Sequence, residues 1–442
     1  MSAQSARRGT QKRPEIFQAL QSAIMSMDFA LVGIVATMLL LGLFMVFSAS
    51  FATVGTRYFL AQAKWVAVGA AVAAFVALIP YDFWRKMAIP IMGFTVLILI
   101  AVLIFGAESE FGGKRTFTGA RFQPSELAKL GVTIYVAAWV AARGRRVGTF
   151  KEGFIPFAVI IGLVAGLIIL EQSVSVTMIV LAIGLTIYFV GGGMFKQLLA
   201  LAAVGTPILA FAMWQFGYPL GRIQDWYNVW FDPTKAPQEL LELTWLVRAG
   251  NGIGTDPTMW QLKASVFGLW SDFLFANIGA DFKIWGMLAV IALFVWFGYR
   301  AVGIALNAPT RFGALLAVGL TAWILVQAGI HIAASLTLIP ATGQPLPFMS
   351  YGGSSLVSCM AAIGLLLSVS RSARERTPTH AYFAFRWGDW RPRLSRPGGN
   401  RRTPGTGRPT AGRTAPGRNP SIRRPNRRPA TDKSRRRASP AR

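Results

Sequence analysis

Cysteine is nearly missing from this sequence, and histidine is scarce. A single Cys359 excludes a disulfide framework, and with only two histidines no Cys/His zinc set can be assembled. Cys359 lies inside an apolar run, where it is expected to pack as a small hydrophobe. Charge is thin as well: 14% of the residues are charged, where soluble domains carry about a quarter. The formal net charge of +27 suggests nucleic acid only until it is located. Residues 372–442 hold 20 Lys or Arg against three acids, so +17 of it sits in a C-terminal tail of Arg, Pro, Gly, Ser and Thr. Such a segment cannot bury enough apolar area to offset its ordering entropy and is expected to be disordered. Its charge suits anionic lipid headgroups, at ~1 kcal/mol per Lys or Arg, or an acidic cytoplasmic partner; nucleic acid is the least suited.

What the chain has in excess is hydrophobic sequence, 53% of its residues. A hydrocarbon core of ~30 Å takes ~20 apolar residues per helix, and runs of that kind recur from residue 28 to residue 371. They predict an all-α polytopic membrane protein with ten spans, at about 28–48, 60–80, 87–106, 127–142, 154–170, 175–191, 197–216, 277–299, 312–335 and 356–370. Arg7, Arg8, Lys12 and Arg13 precede the first span, and three Arg and one Lys fill residues 143–151. By the tendency of cations to stay inside, both termini are cytoplasmic. The first run is long and has no clear small-residue cleavage site, so it reads as a span rather than a cleavable leader. The expected divisions are a cytoplasmic segment 1–26, a membrane domain 27–371 and the basic tail 372–442. Between spans seven and eight lies a large extracytoplasmic segment, too polar to span and rich in Trp, with an amphipathic helix expected around Gln238 to Arg248.

Four polar motifs fall on the outer side. In Arg121-Phe122-Gln123-Pro124-Ser125-Glu126-Leu127-Ala128-Lys129, Pro124 suits the first turn of a helix, and Glu126 and Lys129 stand one turn apart on one face. They serve either as an interfacial salt bridge or, with Lys114 and Arg115, as an anion or sugar site. The run Thr342 to Ser355, TGQPLPFMSYGGSS, breaks the helical pattern at the membrane edge, where irregular backbone is tolerated only if buried or lining a polar cavity. A plain hairpin is the simpler alternative. Tyr218-Pro219-Leu220-Gly221-Arg222-Ile223, Asp232-Pro233 and Gly250 to Gly254 supply turns or close backbone approach. Last, Phe267 to Gly286 carries Asp272 and Asp281 in apolar and aromatic company, where a carboxylate must find a partner, reach water or take a proton. Asp281 is expected to be structural, beside Lys283. His331, alone in span nine, is expected to hydrogen-bond a neighbouring helix rather than a metal, and Glu171 is expected at the interface.

Taken together, FQPSELAK before span four, Arg222-Ile223 with Asp232-Pro233, SDFLFANIG before span eight and TGQPLPFMSYGGSS before span ten resemble the SEDS family of bacterial cell-wall polymerases, the FtsW and RodA proteins. The likeness covers residues 28–371, and the basic tail and the TGQPLPF form resemble the division branch. The resemblance implies a peptidoglycan glycosyltransferase that polymerises the lipid-linked disaccharide peptide lipid II at the outer face of the bacterial cytoplasmic membrane. It makes Asp272 the catalytic residue, and Arg115, Gln123, Ser125, Glu126, Lys129, Arg222, Ser350, Gly352, Gly353 and Ser354 the substrate-binding set. It implies a class B penicillin-binding transpeptidase as partner, with cytoplasmic division proteins or anionic lipids available to the tail. No cofactor is required by the sequence, although a divalent cation would be compatible. The chain departs from the family pattern after span five, where Glu-Pro-Asp-Leu-Gly-Thr is replaced by Glu171-Gln172-Ser173-Val174-Ser175-Val176, and an acidic residue is lost. The usual Pro-Glu and His before the catalytic aspartate are replaced as well, by Phe267, Gly268 and Trp270. A flippase for the lipid-linked precursor, or a non-catalytic division scaffold, is the alternative to the enzyme.

Overall fold

A computed structural model describes residues 26–108, 114–117, 123–216, 218–249 and 259–375. The N-terminal segment, most of the basic tail and the Gly250 to Gly254 turn lie outside the described residues. The described chain is helical, apart from one antiparallel ribbon of β1 (Gly106–Glu108) and β2 (Lys114–Phe117). Among the described residues eight helices are long and apolar enough to cross a membrane. They are α1 (Phe29–Val54), α2 (Arg57–Leu78), α4 (Ala88–Phe105), α5 (Pro124–Arg143), α6 (Ile155–Leu170), α12 (Leu274–Leu306), α13 (Arg311–Ser335) and α14 (Gly353–Glu375). Two shorter apolar helices, α7 (Val174–Val190) and α8 (Phe195–Phe216), fall where the sixth and seventh spans are expected. This is a multi-pass membrane protein.

Its surface shows why. Leu40, Ile89, Phe94, Leu97, Val295 and Trp285 are all more than half exposed, which water would penalise and lipid does not. The buried core lies between the helices. There α13 packs against α12, α7 and α5, while α14 lies along α2. Small residues set the close approaches: a β-carbon on Gly353 would sit 2.3 Å from the Trp65 ring, and one on Gly42 would sit 2.5 Å from the Met349 backbone. The turn before α14 is thereby pressed onto α1 and α2.

Local sequence fixes the helix ends. Asp28 caps α1 by accepting from the Leu31 amide at 3.0 Å and pairs with Arg300 at 2.6 Å. Thr310 caps α13 through the Gly313 amide, and Pro124 opens α5 as expected. In α12 the backbone departs from helical geometry at Lys283 (φ 60°, ψ −159°), which kinks it two residues beyond Asp281. Asp281 pairs with Lys263 and accepts from Ser48 at 2.5 Å. The expectation had set Asp281 beside its sequence neighbour Lys283. The ion pair goes instead to Lys263 because α11 (Met259–Ser265) folds against α1. Three shorter helices complete the chain: α3 (Tyr81–Lys86), α9 (Tyr218–Phe231) and α10 (Gln238–Ala249). The last matches the amphipathic helix anticipated at Gln238 to Arg248.

Candidate active site

At one end of the helices, the start of α5, the α6–α7 turn, α9 and the loop before α14 enclose a cavity of about 320 Å³. Gln123, Gln172, Ser173, Ser175, Arg222 and the backbone from Pro340 to Gln344 line it. Arg222 donates to the Ala341 carbonyl at 3.1 Å and Ser175 to the Thr342 carbonyl at 3.0 Å, so both wall positions are fixed. Two wall residues, Gln172 (φ 57°) and Gly343 (φ 65°), hold left-handed backbone.

Asp272 stands behind Gly343. A β-carbon on Gly343 would lie 3.8 Å from Asp272 Oδ2. The loop that carries Asp272 is tied down on several sides. Its own amide donates to the Gly268 carbonyl at 2.8 Å, and the Tyr351 amide donates to the Trp270 carbonyl at 3.0 Å. The Trp270 ring stacks on Tyr58 at 4.9 Å, and Tyr58 meets Tyr351 at 4.8 Å. From α10, Glu239 accepts from the Phe267 amide. Burial raises the Asp272 carboxyl above its ordinary range, with the Ser271 hydroxyl and the Arg222 charge opposing that rise. Glu239 is raised too, first by burial and then by the nearby Glu242 and Asp272 carboxylates. A carboxylate held near other acids in a partly dry site is poised to take a proton.

A second polar cluster lies deeper. Lys129 and Glu126, 0% and 2% exposed, pair at 2.8 Å, and Lys129 also donates to Gln327 Oε1 at 2.8 Å. Gln327 in turn donates to the Pro345 carbonyl at 2.9 Å and to Ser355 at 3.2 Å, and receives the Trp323 indole at 2.9 Å. The FQPSE helix thus holds the TGQPLPF loop through buried side chains. His331 adds another tie, with Nδ1 2.8 Å from the Gln344 carbonyl and Nε2 accepting from the Phe275 amide at 3.4 Å. It bonds across helices, as expected of a lone histidine there.

The remaining expected site residues are distributed as follows. Gln123 and Arg222 line the cavity, whereas Ser125 is buried with Glu126 and Lys129. Ser350 is buried and accepts from the Leu346 amide at 3.0 Å, while its carbonyl receives Gln62 at 3.0 Å. Gly352 accepts from the Leu356 amide, Gly353 lies on Trp65, and Ser354 is half-buried at the start of α14. Arg115 falls on β2, with its side chain outside the described residues. Glu171, expected at the interface, is fully buried. Sequence reasoning missed Gln327, Glu239 and the cavity-lining Gln172, Ser173 and Ser175. Gln327 could have been found as a polar residue inside an apolar span, whereas Glu239 carries no sequence signal beyond its helix.

The geometry can be set beside known proteins. The FtsW, RodA and SpoVE family model, described as cell cycle protein, matches residues 29–375. The chain belongs to this family, the SEDS proteins. A protein of Thioalkalivibrio sulfidiphilus named probable peptidoglycan glycosyltransferase FtsW is 33% identical over 372 residues, covering 80% of this chain and 91% of the relative. A protein of Nitrosomonas europaea with the same name is 32% identical, over 78% of this chain and 92% of that one. Among solved structures, the Thermus thermophilus rod shape determining protein RodA superposes with a TM-score of 0.60 at 24% identity, covering 78% of this chain and 97% of its own. A chain from a peptidoglycan synthase complex that coordinates polymerization and crosslinking gives 0.66 at 24% identity, covering 78% of this chain and 98% of that one. These two likenesses speak to the SEDS fold.

Proposed function

We propose that this SEDS protein is a peptidoglycan glycosyltransferase that polymerises lipid II during division or shape maintenance, with Asp272 as its general base. The observation that carries the assignment of the base is the Asp272 carboxylate, raised by burial and held by its loop behind Gly343 in the cavity wall. A sugar hydroxyl is a weak nucleophile at neutral pH. A carboxylate within ~3 Å that takes its proton in the transition state typically contributes 10² to 10⁴-fold. The acceptor hydroxyl attacks the anomeric carbon of the donor, its proton passes to Asp272, and the lipid pyrophosphate leaves from the opposite face with the bonding electrons. Arg222, the cation in the cavity wall, offsets charge on that leaving group. Lys129, enclosed by Glu126 and Gln327, acts from behind by holding the loop at Pro345. No group of three His, Cys, Asp or Glu that could hold a metal ion occurs among the described residues.

The two shorter apolar helices are read as spans, which gives ten crossings. Arg85, Arg143, Lys196, Arg300, Arg311 and Arg371 then fall at one end and Asp272 at the other, so both termini are cytoplasmic and the cavity faces outward. The outward end is also where a class B penicillin-binding transpeptidase would receive the new glycan, and the tail would meet anionic lipid or division proteins.

The test uses purified protein and lipid II. Wild type should make glycan polymer and Asp272→Asn should fold yet make none; polymer at the wild-type rate from the variant would remove Asp272 from the mechanism. Exchange of labelled lipid II across vesicles without polymer would instead support a flippase.

A further inference from the structure

Helix α5 has Gln123 of the outer cavity at one end and Arg143 at the other, and its 20 residues carry the chain ~30 Å. At the Arg143 end is a separate cavity of about 460 Å³ between α4, α5 and α13. Arg85, Arg143 and Arg311 line it together with Tyr135, Trp139 and Phe312, and among the described residues no acidic side chain does. Two of the guanidinium groups are held by the fold. Arg311 donates to the Gly191 carbonyl at 2.6 Å and the Gly144 carbonyl at 3.2 Å, and Arg143 lies over the Trp139 ring at 4.1 Å with Nε on the Glu152 carbonyl at 3.1 Å. Arg85 is exposed, and its ion pair with Asp82 is long, at 3.9 Å. Ile89 and Ala138 give the cavity an apolar wall, and Ile89 is 76% exposed on the lipid-facing surface.

Three planar cations around one space suit phosphate oxygens, which guanidinium groups bind through paired N–H donors. An apolar wall open to the bilayer suits the acyl chain attached to that phosphate. A free phosphate uses the first feature and leaves the second idle. We propose that this cavity binds the headgroup phosphate of an anionic phospholipid of the inner leaflet. The site is distinct from the Asp272 cavity, and it rests on the inward orientation given above only for the choice of leaflet. Lipid bound there bridges α4, α5 and α13, and α5 and α13 also carry the Lys129–Gln327 link behind the outer loop.

The experiment is photolabelling of the full-length protein in phosphatidylcholine nanodiscs doped with phosphatidylglycerol that carries a diazirine near its headgroup, followed by peptide mapping. Adducts are expected on residues 85–89 and 135–143, competed by unlabelled phosphatidylglycerol but not by inorganic phosphate. Arg85→Gln with Arg143→Gln should reduce them about fivefold per charge, the equivalent of ~1 kcal/mol for each cation at an anionic surface. Adducts on the basic tail should stay constant and serve as the internal reference. Ala138→Trp, which keeps every charge and fills the cavity, should also abolish the labelling. The proposal is overturned by equal labelling from a phosphatidylcholine diazirine, by wild-type labelling in both variants, or by displacement with inorganic phosphate, which would make this a free-anion site.

Discussion

Asp272 lies directly behind Gly343: a β-carbon at residue 343 would lie 3.8 Å from Asp272 Oδ2, on a backbone with φ +65°. Both facts oppose any side chain there. The left-handed backbone costs an L residue roughly 1–2 kcal/mol, and a branched group would crowd the carboxylate that must meet substrate. Gly343→Val should lower the polymerisation rate by about tenfold, the equivalent of ~1.4 kcal/mol in the barrier. Gly33, which has open space around its β position and ordinary backbone, is the control; Gly33→Ala should leave the rate unchanged. Comparing initial rates of glycan synthesis on lipid II for the two variants checks the expectation.

The acid limb of the pH profile should report Asp272. Its carboxyl is raised by burial and lowered by Ser271 and Arg222. A base works only when ionised, so activity should fall as pH drops through this raised value, which lies above the ordinary carboxylate range. Removing the Arg222 charge takes away a lowering influence, so Arg222→Gln should move the limb to higher pH, whereas Arg222→Lys should leave it nearer the wild-type position. A limb that does not move in Arg222→Gln would mean another group controls the profile.

The Lys129–Glu126 pair should behave as a buried unit. Both groups are almost fully enclosed, and removing one partner leaves a charge without compensation, which costs about 3–5 kcal/mol. Lys129→Met should therefore lower the melting temperature in detergent sharply. Combined with Glu126→Gln it should recover part of the loss, because no buried charge is then left over. The double variant should still polymerise poorly, since Gln327 loses its Lys129 contact and with it a support for the Pro345 turn. Equal melting temperatures for the single and double variants would argue against the coupling.

The apolar helices were legible in the sequence because hydropathy alone encodes them. Helix α13 was expected at 312–335 and runs Arg311–Ser335, and α7 was expected at 175–191 and runs Val174–Val190. The polar pairings were less legible, since they depend on which helix faces which. Asp281 found Lys263, 18 residues away, because α11 folds onto α1, a tertiary event that no local pattern reports. The same limit explains Glu239, whose interest comes only from the Phe267 amide above it. FQPSELAK and TGQPLPF were recognised as separate motifs; that Gln327 joins them could be read only from the packed helices.

His331 shows how such a tie can be tested. Helix α12 begins at Leu274 without a side-chain cap from Phe273, so the amides of its first turn need other acceptors. His331 Nε2 takes the Phe275 amide, and the Nδ1 proton goes to the Gln344 carbonyl, an arrangement open only to the neutral ring. The histidine thus fastens the start of α12, just after Asp272, to the loop next to Gly343. His331→Leu would leave a buried donor and a buried acceptor unpaired, at about 1–3 kcal/mol each, and should lower both the melting temperature and the polymerisation rate. His331→Gln offers one donor and one acceptor on a shorter, bent reach and should restore part of each. A histidine that acted through a metal would instead make wild-type activity sensitive to chelators, and Gln would then do no better than Leu.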